Sequence, residues 1–228
     1  MNHLITLENG LKLELFILNS TAQITYSPKA KGKITVPKSI FYQSQEFIIT
    51  KIKENSFIDN ELIESLDFPE NSSLISIEKN SFKNSNIKSI SIPSSCEELK
   101  DGWCNQTPKL TNILISPTNT RFKYSDEAHK IIIGKSDKNN CNFDVLIFAS
   151  RDIETIQIQS SIKIISSYSF DLCSHLKTIQ INENSELRSI GKKAFTLTLI
   201  KNIFIPSKVE EIQEGAFYCI PNLDQIII

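Results

Sequence analysis

Apolar residues recur along this chain in a fixed order. One apolar residue is followed by four mostly polar ones and then by a large apolar or aromatic residue, which we call the anchor. The pairs are Ile52 and Phe57, Ile77 and Phe82, Leu99 and Cys104, Ile165 and Phe170, Ile190 and Phe195, and Ile212 and Phe217. In each half the three anchors lie 25 and then 22 residues apart. Self-similarity at this period predicts a stacked solenoid of the leucine-rich type.

Each anchor is followed by two branched apolar residues that alternate with polar ones. The alternating pairs are Leu66/Phe68, Ile90/Ile92, Ile113/Ile115, Ile179/Ile181, Ile203/Ile205 and Ile226/Ile228. This alternation is typical of a short, half-buried strand. A proline often follows, as at Pro93 and Pro206, where no strand hydrogen bond needs its missing N–H. Because few residues surround each anchor, a unit is predicted to be one strand, a turn and a short helical or 3₁₀ segment.

The two halves of the chain are copies of one another. Residues 57–115 align without a gap on residues 170–228 at an offset of 113, with 22 identities in 59 pairs. One unit alone cannot bury its apolar face, so successive units must stack and pair their strands into a parallel sheet. The predicted fold is therefore a repeat solenoid with a parallel sheet on one face and short turns or helical segments outside.

Two segments depart from the repeat and predict inserted hairpins. Residues 1–32 contain the hairpin signal Asn9-Gly10 and are expected to form a β-ribbon that caps the edge of the first strand. Residues 33–228 are expected to form the solenoid, with a small hairpin near residues 43–45. A β-meander is predicted at about 119–150, where three strand-like runs are separated by polar turns. This insertion is either a stabilising hairpin or a loop that contacts a partner.

Several stretches resemble the BspA-like leucine-rich repeat family. The segments IPSSCEELKDGWCNQTPKL and IPSKVEEIQEGAFYCIPNL are similar to that family's repeat, in which a strand ending in I-P precedes V-x-x-I-x-x-x-A-F and C-x-x-L. Phe170, Cys173 and Leu176 match its F-x-x-C-x-x-L spacing, and KGKITVPKSIFYQSQEFIITKIKENSF is similar to its opening unit. Leu99 and Trp103/Cys104 depart from the pattern. The resemblance implies a right-handed, horseshoe-like superhelix with its sheet on the concave face. It also implies a surface protein or adhesin that binds host or matrix molecules.

Composition limits the classes of function. The 228 residues carry a net charge of -1, which gives no long-range attraction to nucleic acid or to an anionic membrane. The five cysteines are odd in number and have no metal-ligand spacing, so buried free thiols are expected. The first residues lack the features of a secretion signal, and no apolar run is long enough to cross a membrane. By sequence the protein is expected in the cytoplasm, whereas the resemblance implies the cell surface.

The candidate catalytic groups do not assemble into a predicted site. His3, His129 and His175 have no second ligand or nucleophile at useful spacing. Gly134-Lys135-Ser136 has the end of a phosphate loop, but His129 stands where that motif requires glycine. We therefore predict no enzyme activity, no cofactor and no metal. Sequons occur at Asn19, Asn71 and Asn105, and they matter only in a secreted protein.

The residues between the inward pairs are predicted to point off the sheet and to form a binding surface. This outward row consists of Asp67, Ser91, Leu114, Gln157, Gln180, Phe204 and Ile227. A second row is almost wholly uncharged and polar: Ser65, Ser89, Asn112, Thr155, Thr178, Asn202 and Gln225. Phe204 and Ile227 are expected to form an exposed apolar end to the outward row. The predicted function is a non-enzymatic scaffold that binds a protein or a glycan, as a surface adhesin or antigen or, alternatively, as an intracellular adaptor. Because the sequence stops within a strand at Ile228, we expect either end-to-end self-association or that this chain is a piece of a longer array.

Overall fold

The computed structural model describes residues 2–228, which fall into two compact units. Unit 1 extends to Arg121, and unit 2 runs from Phe122 to Ile228. The strands of unit 1 are β1 (Asn2–Thr6), β2 (Lys12–Phe16), β3 (Thr21–Thr25), β4 (Gly32–Thr35), β5 (Ser39–Tyr42), β6 (Gln45–Ile52), β7 (Ile63–Asp67), β8 (Ser76–Ile77), β9 (Ser89–Ile92), β10 (Glu98–Leu99) and β11 (Asn112–Ile115). Those of unit 2 are β12 (Phe122–Tyr124), β13 (Ile131–Gly134), β14 (Val145–Ala149), β15 (Thr155–Ile158), β16 (Ile164–Ile165), β17 (Thr178–Ile181), β18 (Ser189–Ile190), β19 (Asn202–Phe204), β20 (Glu211–Ile212) and β21 (Gln225–Ile227).

Each unit is a β-solenoid whose regular coils contribute two strands, not one. The first strands of unit 1 form the parallel sheet β11-β9-β7-β4, as the alternating apolar pairs predict. The second strands, β6, β8 and β10, form another parallel run in a separate sheet. Unit 2 repeats this arrangement with β15-β17 and β19-β21 in one layer and β14-β16-β18-β20 in the other. The predicted solenoid is confirmed, and the second sheet is an addition to it.

The register of both sheets places like aliphatic residues side by side. In the first sheet of unit 1, Leu66 lies opposite Ile90, which lies opposite Ile113, and all three are buried. In the second sheet of unit 2, Ile165 lies opposite Ile190. This alignment buries one branched side chain against the next and supplies the apolar contact that a single coil lacks.

Turns, not short helices, surround the anchors. The only helical segment within residues 2–228 is a 3₁₀ turn at Ile17–Asn19, which lies outside the coils. In each of the six coils with an anchor, the residues two before and two after the anchor have φ between 50° and 66°. These left-handed residues are Asn55 and Asp59, Asn80 and Asn84, Gly102 and Gln106, Tyr168 and Leu172, Lys193 and Leu197, and Gly215 and Cys219. A right-handed helix cannot pass through such a residue, so the expected helical segments are absent there.

The anchors form an aromatic stack inside each unit. In unit 1 the rings of Phe57 and Phe82 stack at 5.0 Å, and Trp103 meets Phe82 edge-on at 6.1 Å. In unit 2 Phe195 stacks between Phe170 at 5.0 Å and Phe217 at 5.5 Å. Backbone hydrogen bonds follow the same column, because the N–H of each anchor donates to the carbonyl one residue before the next anchor, as from Phe170 to Ala194. The predicted anchor positions are confirmed within each unit.

The amino-terminal hairpin joins the second sheet of unit 1. Strands β1 and β2 pair antiparallel around Asn9-Gly10, as predicted. Gly10 has φ of +84°, and a Cβ there would lie 2.2 Å from the carbonyl oxygen of Lys29. The ribbon continues through β3, which pairs with β6 and not with β4. The ribbon therefore covers the edge of the second sheet, which contains β6, and not the edge of the first strand as expected. The second sheet itself was not predicted. A cap at residues 1–32 distinct from a solenoid at 33–228 stays a prediction.

The first insertion lies in chain order between the first strand β4 and the second strand β6 of its coil. The hairpin β5-β6 turns at Gln43 and Ser44, both with positive φ. The three runs predicted between residues 119 and 150 form the antiparallel meander β12-β13-β14. Strand β14 also pairs in parallel with β16, with Leu146 opposite Ile165. The last strand of the insertion thus belongs to the second sheet of unit 2.

Candidate functional site

In unit 1 the outward row lies on neighbouring strands and borders a small cleft. Leu114 lies opposite Ser91 in the parallel register and is 49% exposed. The Ser91 hydroxyl accepts a hydrogen bond of 2.6 Å from the N–H of Phe68. The cleft, of 160 Å³, is lined by both row residues together with Phe68, Pro93 and others. Its walls combine apolar side chains with the hydroxyl groups of Ser91 and Ser116 and the carboxylate of Glu70.

In unit 2 the row is polar on one strand pair and apolar on the other. Gln157 lies opposite Gln180, and both are exposed. Phe204 lies opposite Ile227, which is 49% exposed. The expectation that Phe204 is exposed is wrong: its ring is half buried because it packs against the hydrophobic core. Ile227 is therefore the more accessible apolar side chain of this pair.

The second row supplies uncharged hydrogen-bonding groups but varies in access. Ser65 is buried, and its hydroxyl donates to the Asp67 carboxylate at 3.0 Å. The Asn112 side chain is exposed and donates to the Ser89 hydroxyl at 3.2 Å. Thr155, Thr178, Asn202 and Gln225 are exposed. Asp67 is thus the one ionisable residue of both rows, so the surface that they form carries little charge.

The insertion borders the row in unit 2. A cleft of 330 Å³ is lined by Ser125 and Asp126 of the insertion and by Thr155 and Gln157 of the first sheet. Gln159 closes one side, since its side-chain amide donates to the Ser125 carbonyl at 3.2 Å. The insertion therefore both braces the coil and shapes the surface beside Gln157. The sequence predicts the three strands, but it carries no signal for this proximity because the contact joins residues about thirty positions apart.

The pKa shifts of Glu14, Cys96 and Cys173 arise from hydrogen bonding or burial. The pKa of Glu14 is lowered because Lys53 donates a hydrogen bond of 2.6 Å to its carboxylate. Burial raises the pKa of Cys96 to about 12 and that of Cys173 to about 11, so neither thiol is a ready nucleophile. Cys141 and Cys219 are exposed, and the expectation of a buried thiol is wrong at Cys219.

The other candidate residues lie apart from one another. His3 is 5.6 Å from Tyr42, His129 stacks on Tyr124 at 4.0 Å, and His175 is exposed. Gly134 ends strand β13 and leads into no helix, so the Gly134–Ser136 segment has no phosphate-binding geometry. Residues 2–228 contain no group of three or more His, Cys, Asp or Glu side chains able to hold a metal ion.

Of the three sequons, two are accessible. Asn19 and Asn71 are exposed, whereas Asn105 is buried and its side-chain amide donates to Asn80 at 3.3 Å.

Within residues 2–228 the structure offers no helix with the length and hydrophobicity that a membrane crossing requires.

Comparison with known proteins identifies the repeat. The sequence profile described as "BspA type Leucine rich repeat region" matches six copies, over residues 32–126 and 143–228. No curated protein matches the sequence. A leucine rich cell surface protein from Faecalibacterium prausnitzii A2-165 aligns over 100% of this chain and 88% of its own, with 13% identity and a TM-score of 0.51. A leucine-rich repeat protein from Eubacterium ventriosum aligns over 93% of this chain and 68% of its own, with 17% identity and a TM-score of 0.54. At these identities the structural likeness concerns the fold alone. Because the profile matches well over half of the sequence, the chain belongs to the BspA-type leucine-rich repeat family.

Proposed function

We propose that this protein is a non-enzymatic scaffold that binds a protein partner through the outward row. The observation that carries the proposal is the half exposure of Leu114 and Ile227 among uncharged polar side chains. Leu114 is not needed to fill the core, since its inward neighbour Ile113 is buried. Apolar side chains within a polar rim are typical of protein interfaces. A glycan in place of the protein is the alternative that the polar second row favours.

The absence of enzyme activity is part of the proposal. Polar residues that recur with every coil do not provide the single asymmetric site that catalysis needs. Glu97 and Glu98 recur at the positions of Glu210 and Glu211, and all four are exposed. A screen of hydrolase substrates is expected to give no turnover, and a reproducible activity lost on mutation of one residue would contradict this.

Leu114→Asp tests the row directly, with Ile75→Asp as the matched control. Both side chains are 49% exposed and both lie in unit 1, but Ile75 is outside the row. Affinity capture with the wild-type protein is expected to recover a partner that Leu114→Asp loses and Ile75→Asp retains. Equal recovery by all three proteins would show that the row is not the binding surface. Circular dichroism of each variant excludes loss of fold as the cause.

Display at the cell surface, as an adhesin or antigen that binds a host or matrix protein, is the proposed context. It is supported by family membership and by the similarity to a protein described as a leucine rich cell surface protein. Labelling intact cells with an impermeant reagent is expected to modify the protein, and labelling only after lysis would contradict surface display. An intracellular adaptor is the alternative, and the five free cysteines favour it.

Self-association of this chain stays a prediction. The last coil leaves Ile212, Ile226 and Ile228 exposed. Sedimentation velocity over a range of concentrations is expected to show association, and a single monomeric species at high concentration would contradict it.

A further inference from the structure

A second cleft lies in unit 2, where the insertion meets the second sheet. Its volume is 520 Å³, and it is lined by Lys123, Phe143 and Asp144 of the insertion and by Ser161 and Lys163 of the coil that follows, among others. The volume falls within the range of about 300–1,000 Å³ that small-molecule sites occupy. No residue of the outward row lines this cleft. It is therefore a separate candidate site.

Two lysines share one aromatic ring at the edge of this cleft. The ammonium of Lys123 lies 4.3 Å from the centre of the Phe143 ring, and that of Lys135 lies 5.1 Å from it. The register of β12 and β13 explains the pairing: Lys123 lies opposite Ile133, so Lys135 is its diagonal neighbour on the same face. Cation–π attraction to the ring holds both ammoniums beside it despite their like charge.

Lys123 has no acidic partner. None of the ion pairs within residues 2–228 involves it, and its side chain is exposed. Its ammonium can therefore donate hydrogen bonds to an incoming anion without first breaking a salt bridge.

The acidic groups of the cleft are already engaged. Asp144 is buried, and its carboxylate accepts from the backbone N–H of Ser136 at 2.9 Å and from the Ser136 hydroxyl at 2.8 Å. The Lys163 ammonium lies 3.8 Å from the same carboxylate. Glu186 pairs with Lys208 and lies 4.0 Å from Arg188. The cleft thus presents exposed positive charge, whereas its negative charges are compensated.

We propose that this cleft binds an acidic saccharide, one that carries a carboxylate or sulfate group. The exposed Lys123 meets the anionic group above Phe143, the Lys135 ammonium lies beside the same ring, and Lys163 lines the cleft. The side chains of Asn142, Gln159 and Ser161 are exposed in the lining and offer the amide and hydroxyl groups that sugar hydroxyls need. A concave, polar cleft of this volume admits one or two sugar rings but not the surface of a folded protein.

The test uses the full chain and a sulfated, uronate-containing disaccharide, with its desulfated, carboxyl-reduced form as the neutral counterpart. Isothermal titration is expected to show saturable one-to-one binding of the acidic form that weakens as salt is added, and no binding of the neutral form. Lys123→Gln is expected to weaken binding at least about tenfold, since it removes a hydrogen bond between the ammonium and the anionic group. Phe143→Leu, which keeps apolar volume but removes the ring beneath both ammoniums, is expected to weaken it severalfold.

The matched control is Lys201→Gln. Lys201 is an exposed lysine of unit 2 that lies outside the cleft, and the change removes the same charge. It is expected to alter the affinity by less than about twofold. An equal loss in Lys123→Gln and Lys201→Gln would overturn the proposal in favour of non-specific attraction. No binding of the acidic disaccharide would overturn it outright, and equal binding of a glutamate-rich hexapeptide would overturn the assignment to saccharide. If Phe143→Leu fails to fold, Lys123→Gln still tests the proposal, because Lys123 is exposed. None of these outcomes bears on the outward row, which Leu114→Asp tests separately.

Discussion

Replacing Phe82 by alanine tests the aromatic stack that organises unit 1. The ring is fully buried between Phe57 at 5.0 Å and Trp103 at 6.1 Å, so its removal leaves a cavity bounded by two rigid neighbours. Phenylalanine-to-alanine changes at such sites cost about 3–5 kcal/mol. Each lost ring pair accounts for about 0.5–1.5 kcal/mol of that sum. The value should lie toward the upper end, because stacked coils on both sides resist collapse into the cavity.

The single tryptophan provides the assay. Trp103 is buried, contacts Phe82 and is the only tryptophan of the chain, so its fluorescence reports the unfolding of unit 1. At a urea dependence of about 2–3 kcal/mol per molar, a loss of about 3–5 kcal/mol lowers the unfolding midpoint by about 1–2.5 M. Phe41→Ala is the control, because Phe41 is 75% exposed and its loss should change stability by less than about 0.5 kcal/mol. Equal midpoints for Phe82→Ala and the wild-type protein would refute the placement of the anchors in the packed core.

Three further predictions concern strain and thiols. Leu197→Gly should raise the free energy of unfolding by about 0.5–1 kcal/mol, measured by urea titration, because Leu197 has φ of 58° and is 45% exposed; a loss would contradict strain at this turn. In the native protein a thiol reagent should label Cys141 and Cys219 quickly, with Cys96 and Cys173 reacting only on unfolding, and mass mapping checks this. Burial raises the pKa of Cys173 from 9.0 to about 11, so the folded state keeps a proton that the unfolded state loses. Its contribution to stability is therefore complete below about pH 9 and lost as pH rises to about 11, and Cys173→Ala should flatten that fall; an unchanged slope would contradict the burial argument.

Much of the fold was predictable because it depends on spacing alone. The anchors and the alternating pairs recur at fixed intervals, and the structure places Phe82 and Phe195 inside the coils as that spacing predicts. The Asn9-Gly10 hairpin was equally predictable, because positive φ at Gly10 is a local requirement.

The second sheet could not be predicted in the same way. Its strands β8 and β18 have two residues each, too few to show any periodicity. Left-handed φ at Tyr168 and Leu172 also has no sequence signal, because these side chains disfavour that region and only the stacked coils hold them in it.

Alternation predicts which residues lie on the candidate surface, but it does not predict how exposed each side chain is. Alternation assigns Phe204 to the outer face, yet how far its ring folds back onto the core depends on neighbouring coils. The cleft beside Phe143 joins β12, β13 and the following coil, and only the register of the strands brings its lysines together.

The position of the first insertion has a practical consequence for engineering. Its extra hairpin enters after the first strand of the coil and Pro37, while the distance from the second strand to the anchor, Ile52 to Phe57, is the same as in the regular coils. That corner tolerates added length because the chain leaves the stack there and can rejoin it without shifting a strand. A peptide epitope or fluorescent reporter grafted after Pro93 or Pro206 would therefore leave the coils intact. One extra residue inside an anchor turn would instead shift the register of the strands that follow it.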